Sequence, residues 1–119
     1  MASHFMTKGK IVLVPFPFDD FSGTKVRPAV CLTEAIGIYE HFIIAFISSQ
    51  IQKSPEASDL LINKEDNDLN LTGLSVSSVI KLHRMVTIPK NIIQRQLGII
   101  PQKYQAEIEH KLKALFGLQ

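Results

Sequence analysis

"FIIAFIS", Phe42–Ser48, decides the fold. The run is too short for a helix of several turns, and its apolar residues fall on both alternating faces. That pattern predicts a strand covered on both sides, at the centre of a sheet.

The neighbouring segments read as further strands. On the N-terminal side, Pro28–Leu32 and Ile11–Val14 are short and apolar. The second of these continues towards Phe16 and Phe18, interrupted by Pro15 and Pro17. Each proline removes a backbone donor, so this stretch is expected to leave the sheet at an edge or bulge. "DDFSGT", Asp19–Thr24, supplies turn chemistry between the two.

On the C-terminal side, a polar loop over Ser49–Ser58 leads to a short strand at Asp59–Ile62. "NKEDNDLNLTG" is a turn-rich connection ending at Gly73. Val76–Leu82 and Val86–Ile88 resume strand character, with a bulge expected around His83 and Arg84. A short helix is possible at Pro89–Gln94. Over Gln102–Phe116, Tyr104, Ile108, Leu112, Leu115 and Phe116 recur at helical spacing, with Pro101 before them and Gly117 after. Many short strands and one amphipathic helix predict a mainly β fold: a small coiled sheet or barrel with a C-terminal helix.

The chain has 119 residues, 45% of them hydrophobic and 20% charged, which suits one globular domain over residues 7–119. Residues 1–6 read as an expression remnant or a disordered N-terminus. Cys31 is the only cysteine, so no internal disulfide forms, and its apolar neighbours predict a buried, inert thiol. No apolar run approaches the roughly 20 residues of a membrane span, and no signal peptide is apparent. The expected location is the cytoplasm. A net charge of +2 is too mild to announce a nucleic-acid partner by itself.

No phosphate-binding glycine loop, CxxC or HExxH is present in the sequence. Asp19, Asp20, Asp66 and Asp68 read as turn residues rather than metal ligands. Three fragments carry more information together: "KVRPAV" at Lys25, "FISSQIQK" at Phe46 and "SVIKLHRMVTI" at Ser78. Pro28 holds Arg27 in extended geometry at a strand start. Ser48 continues the parity of Phe42, Ile44 and Phe46, so its hydroxyl needs a partner. Residue types alone leave two readings open. Arg27 is a solvated edge charge and Ser48 bonds nearby backbone, or the two form a site.

The ordered set "GKIVLVPFPFDDFSGTKVRPAV", "FISSQIQK" and "GLSVSSVIKLHRMVTI", with a helix ending "ALFGL", resembles the MazF/PemK family. These are toxins of bacterial type II toxin–antitoxin systems, and the resemblance runs from Gly9 to Leu118. It implies an SH3-like barrel of the MazF/PemK/CcdB type with a C-terminal helix, usually a homodimer. It also implies a metal-independent, cofactor-free endoribonuclease (an mRNA interferase) that cuts single-stranded RNA at short motifs. The family's catalytic arginine falls on Arg27 and its catalytic hydroxyl on Ser48, with Ser49 adjacent.

Those residue types suit the chemistry. RNA carries its own nucleophile, the ribose 2′-OH. A rigid guanidinium matches the charge that gathers on the phosphoryl oxygens. Near the fifth strand, where related toxins often carry an arginine and then an aspartate two residues on, this chain has Lys81 and His83. Lys81 can still hold a phosphate. His83 becomes a candidate acid or base, or an RNA contact. Lys25, Arg84 and Phe18 complete the expected RNA surface, with Phe18 stacking on bases. The helix lysines Lys103, Lys111 and Lys113 read as a solvated face. The implied partners are single-stranded RNA, a small acidic antitoxin and a second copy of the chain. The alternatives are a CcdB-like gyrase poison of the same fold and an inactive relative that only binds its antitoxin.

Overall fold

The apolar run at Phe42 is the centre of a six-stranded antiparallel sheet. The structure, a computed structural model, describes residues 8–15 and 25–119. Its strands are β1 Lys10–Pro15, β2 Val26–Cys31, β3 His41–Ser48, β4 Asp59–Ile62, β5 Ser78–Pro89 and β6 Arg95–Ile99, in the order β4-β5-β3-β2-β1-β6. A single turn of helix, α1, spans Leu69–Thr72, and the C-terminal helix, α2, spans Gln102–Phe116.

Both faces of the sheet are buried, which is why β3 carries apolar residues at every position from Phe42 to Ile47. Ile11, Val30, Ala45 and Ile47 pack with Leu60, Ile80 and Leu82 under Ile108 of α2. Val12, Val14, Ala29, Cys31, Phe42, Ile44, Phe46 and Ile88 form a second core on the opposite face. The sheet curls into a half-barrel around these cores. The helix is bounded as its sequence predicts, with Pro101 at its start and Gly117 in the left-handed region at φ 70°. Leu115 and Phe116, counted on its apolar face from spacing, are exposed.

The expected bulge in β5 is present and has a consequence for the site. Ala45 pairs with Met85 and Ile47 with Ile80, so β3 advances two residues while β5 advances five. An odd excess reverses which face alternate residues occupy. Ile80 and Leu82 accordingly join the first core, whereas Val86 and Ile88, also even-numbered, join the second. Lys81 and Val79 thereby share the face of Ser48, whose register partner is Val79.

β1 lies inside the sheet, between β2 and β6, and is described as far as Pro15. Its continuation through Phe16, Pro17 and Phe18, expected to leave the sheet at an edge or bulge, lies outside the described residues. Two expectations need correction. The connection ending at Gly73 holds α1, and Pro89–Gln94 holds only a 3₁₀ turn over Lys90–Ile92. β6, not expected from the sequence, supplies an edge.

Candidate active site

Arg27 and Ser48 lie on adjacent strands and line one cleft. β2 pairs with β3 at Ala29–Phe46, Val30–Ala45 and Cys31–Ile44. That ladder stops at Ala29 and Phe46; Arg27 and Ser48 lie two residues further along their strands. Both continue the parity of the second core: Arg27 follows Cys31 and Ala29, and its β1 partner is Val14. Arg27 is half-buried, and its Nη1 donates to the Val26 carbonyl at 3.4 Å.

Ser48 ends β3, and its Oγ accepts the Gln50 backbone N–H at 3.0 Å. That bond answers the partner its hydroxyl required. It fixes the oxygen while leaving the O–H free to donate, since a hydroxyl has one donor and two acceptor sites.

These residues line a cleft of ≈ 550 Å³ together with Ser49, Lys81 and Arg84. The volume is within the usual range of ligand sites. Gly73–Val76 forms part of its wall, and that segment is set against β6 by close backbone packing. At Gly73, φ is 76°, and a Cβ there would lie 2.2 Å from the Leu97 carbonyl oxygen. Only glycine fits both constraints.

Compared with known protein families, residues 7–116 match the PemK-like, MazF-like toxin of type II toxin–antitoxin systems. The chain belongs to this toxin family. Solved structures agree in fold. The Mycobacterium tuberculosis toxin MazF-mt6 superposes with a TM-score of 0.71 at 18% identity, over 92% of this chain and 98% of that one. A MazE–MazF structure from Deinococcus radiodurans gives 0.66 at 19% identity, over 93% and 95%. An endoribonuclease in complex with its cognate antitoxin, from a mycobacterial species, gives 0.64 at 13% identity, over 94% and 95%. Comparison with curated protein sequences finds no match.

The toxin's fifth-strand residues divide. Lys81 lines the cleft and is ion-paired, its Nζ 3.1 Å from Asp59 Oδ2. Arg84 also lines the cleft and is exposed. His83 does not line it. Its Nδ1 lies 3.1 Å from Ser58 Oγ and 4.0 Å from Asp59 Oδ1. Lys25 is exposed one residue before Val26, which lines the cleft. Phe18 and the pair Asp19–Asp20 lie outside the described residues, as do residues 1–6.

Asp59 is the residue that sequence reading missed. It appeared only as the first position of a short strand, and its significance depends on pairing with Lys81 across β4 and β5.

Elsewhere the charges are structural. Asp66 accepts from Lys103 Nζ at 2.7 Å, from the Tyr104 hydroxyl, and from the Asp68 backbone N–H at 2.8 Å. The Lys103 bond first, then Tyr104, holds the Asp66 carboxyl down at about 2. The helix lysines are therefore not merely solvated: Lys103 ties α2 to the Asp66 turn, and Lys111 Nζ donates to the Ala57 carbonyl at 3.1 Å. Burial pushes the Cys31 thiol up to about 11, opposed by Lys10 and aided by Glu34, as its inert reading requires. Among the described residues, no three His, Cys, Asp or Glu side chains cluster as metal ligands. No described helix is long and apolar enough to cross a membrane.

Proposed function

We propose that this toxin is an endoribonuclease that cleaves single-stranded RNA in the Arg27–Ser48 cleft. The presence of Arg27 and Ser48, from adjacent strands, in the lining of one cleft carries this reading. The 2′-oxygen attacks the neighbouring phosphorus, the bond from phosphorus to the 5′-oxygen breaks, and the products are a 2′,3′-cyclic phosphate and a 5′-hydroxyl. The 2′-OH proton leaves to a base, and the departing 5′-oxygen takes up a proton.

The guanidinium of Arg27 offers a rigid fork of donors to the phosphoryl oxygens as negative charge gathers on them. Ser48, with its oxygen held by Gln50 N–H, donates its O–H to the same group. Lys81 and Arg84 add positive charge along the cleft. Arginine stays protonated and does not act as the base. His83, which faces Ser58 rather than the cleft, contributes at a distance or to RNA contacts beyond the lining.

The physiological assembly on this reading is a homodimer in the cytoplasm. It is restrained by a small antitoxin whose acidic segment folds over the cationic cleft. The D. radiodurans structure pairs such a toxin with MazE.

The test is cleavage of single-stranded RNA by the purified protein in excess chelator, with the new 5′ ends sequenced. Cuts at one short motif leaving 5′-hydroxyl ends support the reading. A requirement for added magnesium overturns the mechanism. Growth arrest without RNA cleavage, surviving Arg27→Ala, points to a poison that acts on a protein target.

A further inference from the structure

Asp59 and Lys81 occupy directly paired positions on β4 and β5. Their side chains are 4% and 12% exposed. Asp59 Oδ2 accepts both Lys81 Nζ at 3.1 Å and the Glu56 backbone N–H at 2.9 Å. Its other oxygen, Oδ1, is buried with no hydrogen-bond partner. His83 Nδ1 stands 4.0 Å away, beyond hydrogen-bond reach.

This is a poor way to stabilise a fold. A buried ion pair recovers its desolvation cost only when the remaining lone pairs are satisfied, and an apolar pair of similar volume commonly does better. The unsatisfied Oδ1 shows that this carboxylate is incompletely compensated where it sits. The bulge in β5 places Lys81 on the sheet face of Ser48 and Arg27, and Lys81 lines their cleft. An ammonium has three N–H donors. One is spent on Asp59, leaving two for phosphate oxygens in the cleft.

We propose that Asp59 is a positioning residue for RNA cleavage, holding the Lys81 ammonium in place so that it meets the substrate phosphate already ordered. The inference rests on the endoribonuclease reading of the cleft. A flexible lysine loses rotamer freedom when it binds, and one already clamped by a carboxylate loses less. Asp59 thus supplies from β4 an anchor for a cation on β5.

The test is a double-mutant cycle on cleavage of a single-stranded RNA oligonucleotide. Asp59→Asn is expected to lower kcat/KM about tenfold or more, and Lys81→Ala comparably. The double variant should be no slower than Lys81→Ala alone, because both changes remove one unit. Losses that multiply independently overturn the proposal, as does an Asp59→Asn variant with full activity beside a crippled Lys81→Ala. A merely structural Asp59 would impair both backgrounds alike.

The second measurement needs no catalysis and no variant. The Lys81 ammonium should give an exchange-protected 1H–15N resonance in the wild-type toxin that shifts on addition of an uncleavable 2′-deoxy oligonucleotide. Absence of that resonance overturns the proposal, even if Asp59→Asn fails to fold. If the wild type cuts no RNA, the endoribonuclease reading fails, while the resonance still decides whether Asp59 orders Lys81.

Discussion

The Tyr104 hydroxyl donates a hydrogen bond to Asp66 Oδ2, joining the first turn of α2 to the connection between β4 and α1. Lys103 closes on the other oxygen of the same carboxylate at 2.7 Å. One aspartate therefore docks the helix that covers the first core. The folded state holds the Asp66 carboxyl at about 2 against an ordinary 3.8, so this contribution to stability is complete above pH 4 or so. It is lost as pH falls through about 2, because the unfolded chain binds the proton first. Tyr104 runs the opposite way. Burial, and then the Asp66 bond, push its hydroxyl up from 10.0 to about 12. Its contribution is intact below pH 10 and declines towards pH 12. Thermal melts of Tyr104→Phe against wild type should show a lower Tm at neutral pH. The gap should narrow at both extremes.

Arg27→Ala should reduce RNA cleavage by at least ~10²–10³, the usual cost of one preorganised donor to a developing oxyanion. Arg27→Lys should recover little of it, since a point charge lacks the fork that meets two oxygens at once. Ser48→Ala should lose a similar factor, whereas Ser48→Thr should keep most activity because the O–H remains. Single-turnover rates on a short RNA measure all three. Near wild-type rates for Arg27→Ala would remove the cleft as the catalytic centre.

Cys31 should resist modification. It is 1% exposed in the second core, and its thiol is pushed up to about 11, so almost none is thiolate at neutral pH. Thiol titration of the native protein should be slow, with one equivalent released on unfolding. Cleavage should survive treatment with alkylating agents under native conditions.

How far the sequence revealed this molecule depended on whether the deciding contact is local. "FIIAFIS" declared a central strand because burial on both sides leaves no polar position before Ser48. α2 was legible from its spacing and its Pro101 and Gly117 boundaries. β6 was not, because "RQLGI" is exposed or only partly buried throughout and follows no clean alternation. Its Gly98 serves close packing instead: a Cβ there would lie 2.2 Å from the Leu71 carbonyl oxygen. At the site, Arg27 and Ser48 could be matched by motif, and both line the same cleft. Asp59 could not be found that way, because its importance lies in a partner 22 residues on, brought near by β4–β5 pairing. Lys81 lines the cleft while His83, two residues on, lies against Ser58 beside the start of β4, and residue spacing alone does not reveal that separation.

The cleft wall gives the last test, because its position depends on a single missing side chain. Gly73 caps α1 in the left-handed region, its N–H reaching the Asn70 carbonyl at 3.4 Å, and it packs directly on the β6 backbone. Alanine there meets two penalties. The positive φ is costly for any residue with a Cβ. The Cβ itself would stand 2.2 Å from Leu97 O and 2.7 Å from Leu97 C, backbone atoms that cannot rotate away. Gly73→Ala should therefore destabilise the protein by roughly 2–4 kcal/mol in denaturant melts. The displaced Gly73–Val76 wall should also raise KM for RNA more than it lowers kcat, since Arg27 and Ser48 sit on strands the change does not touch. Gly37→Ala is the control. Gly37 also has φ 76°, but no atom lies within 4 Å of its would-be Cβ, so only the conformational penalty of about 1 kcal/mol applies. Equal losses of stability in the two variants would show that contact with β6 does not hold the wall.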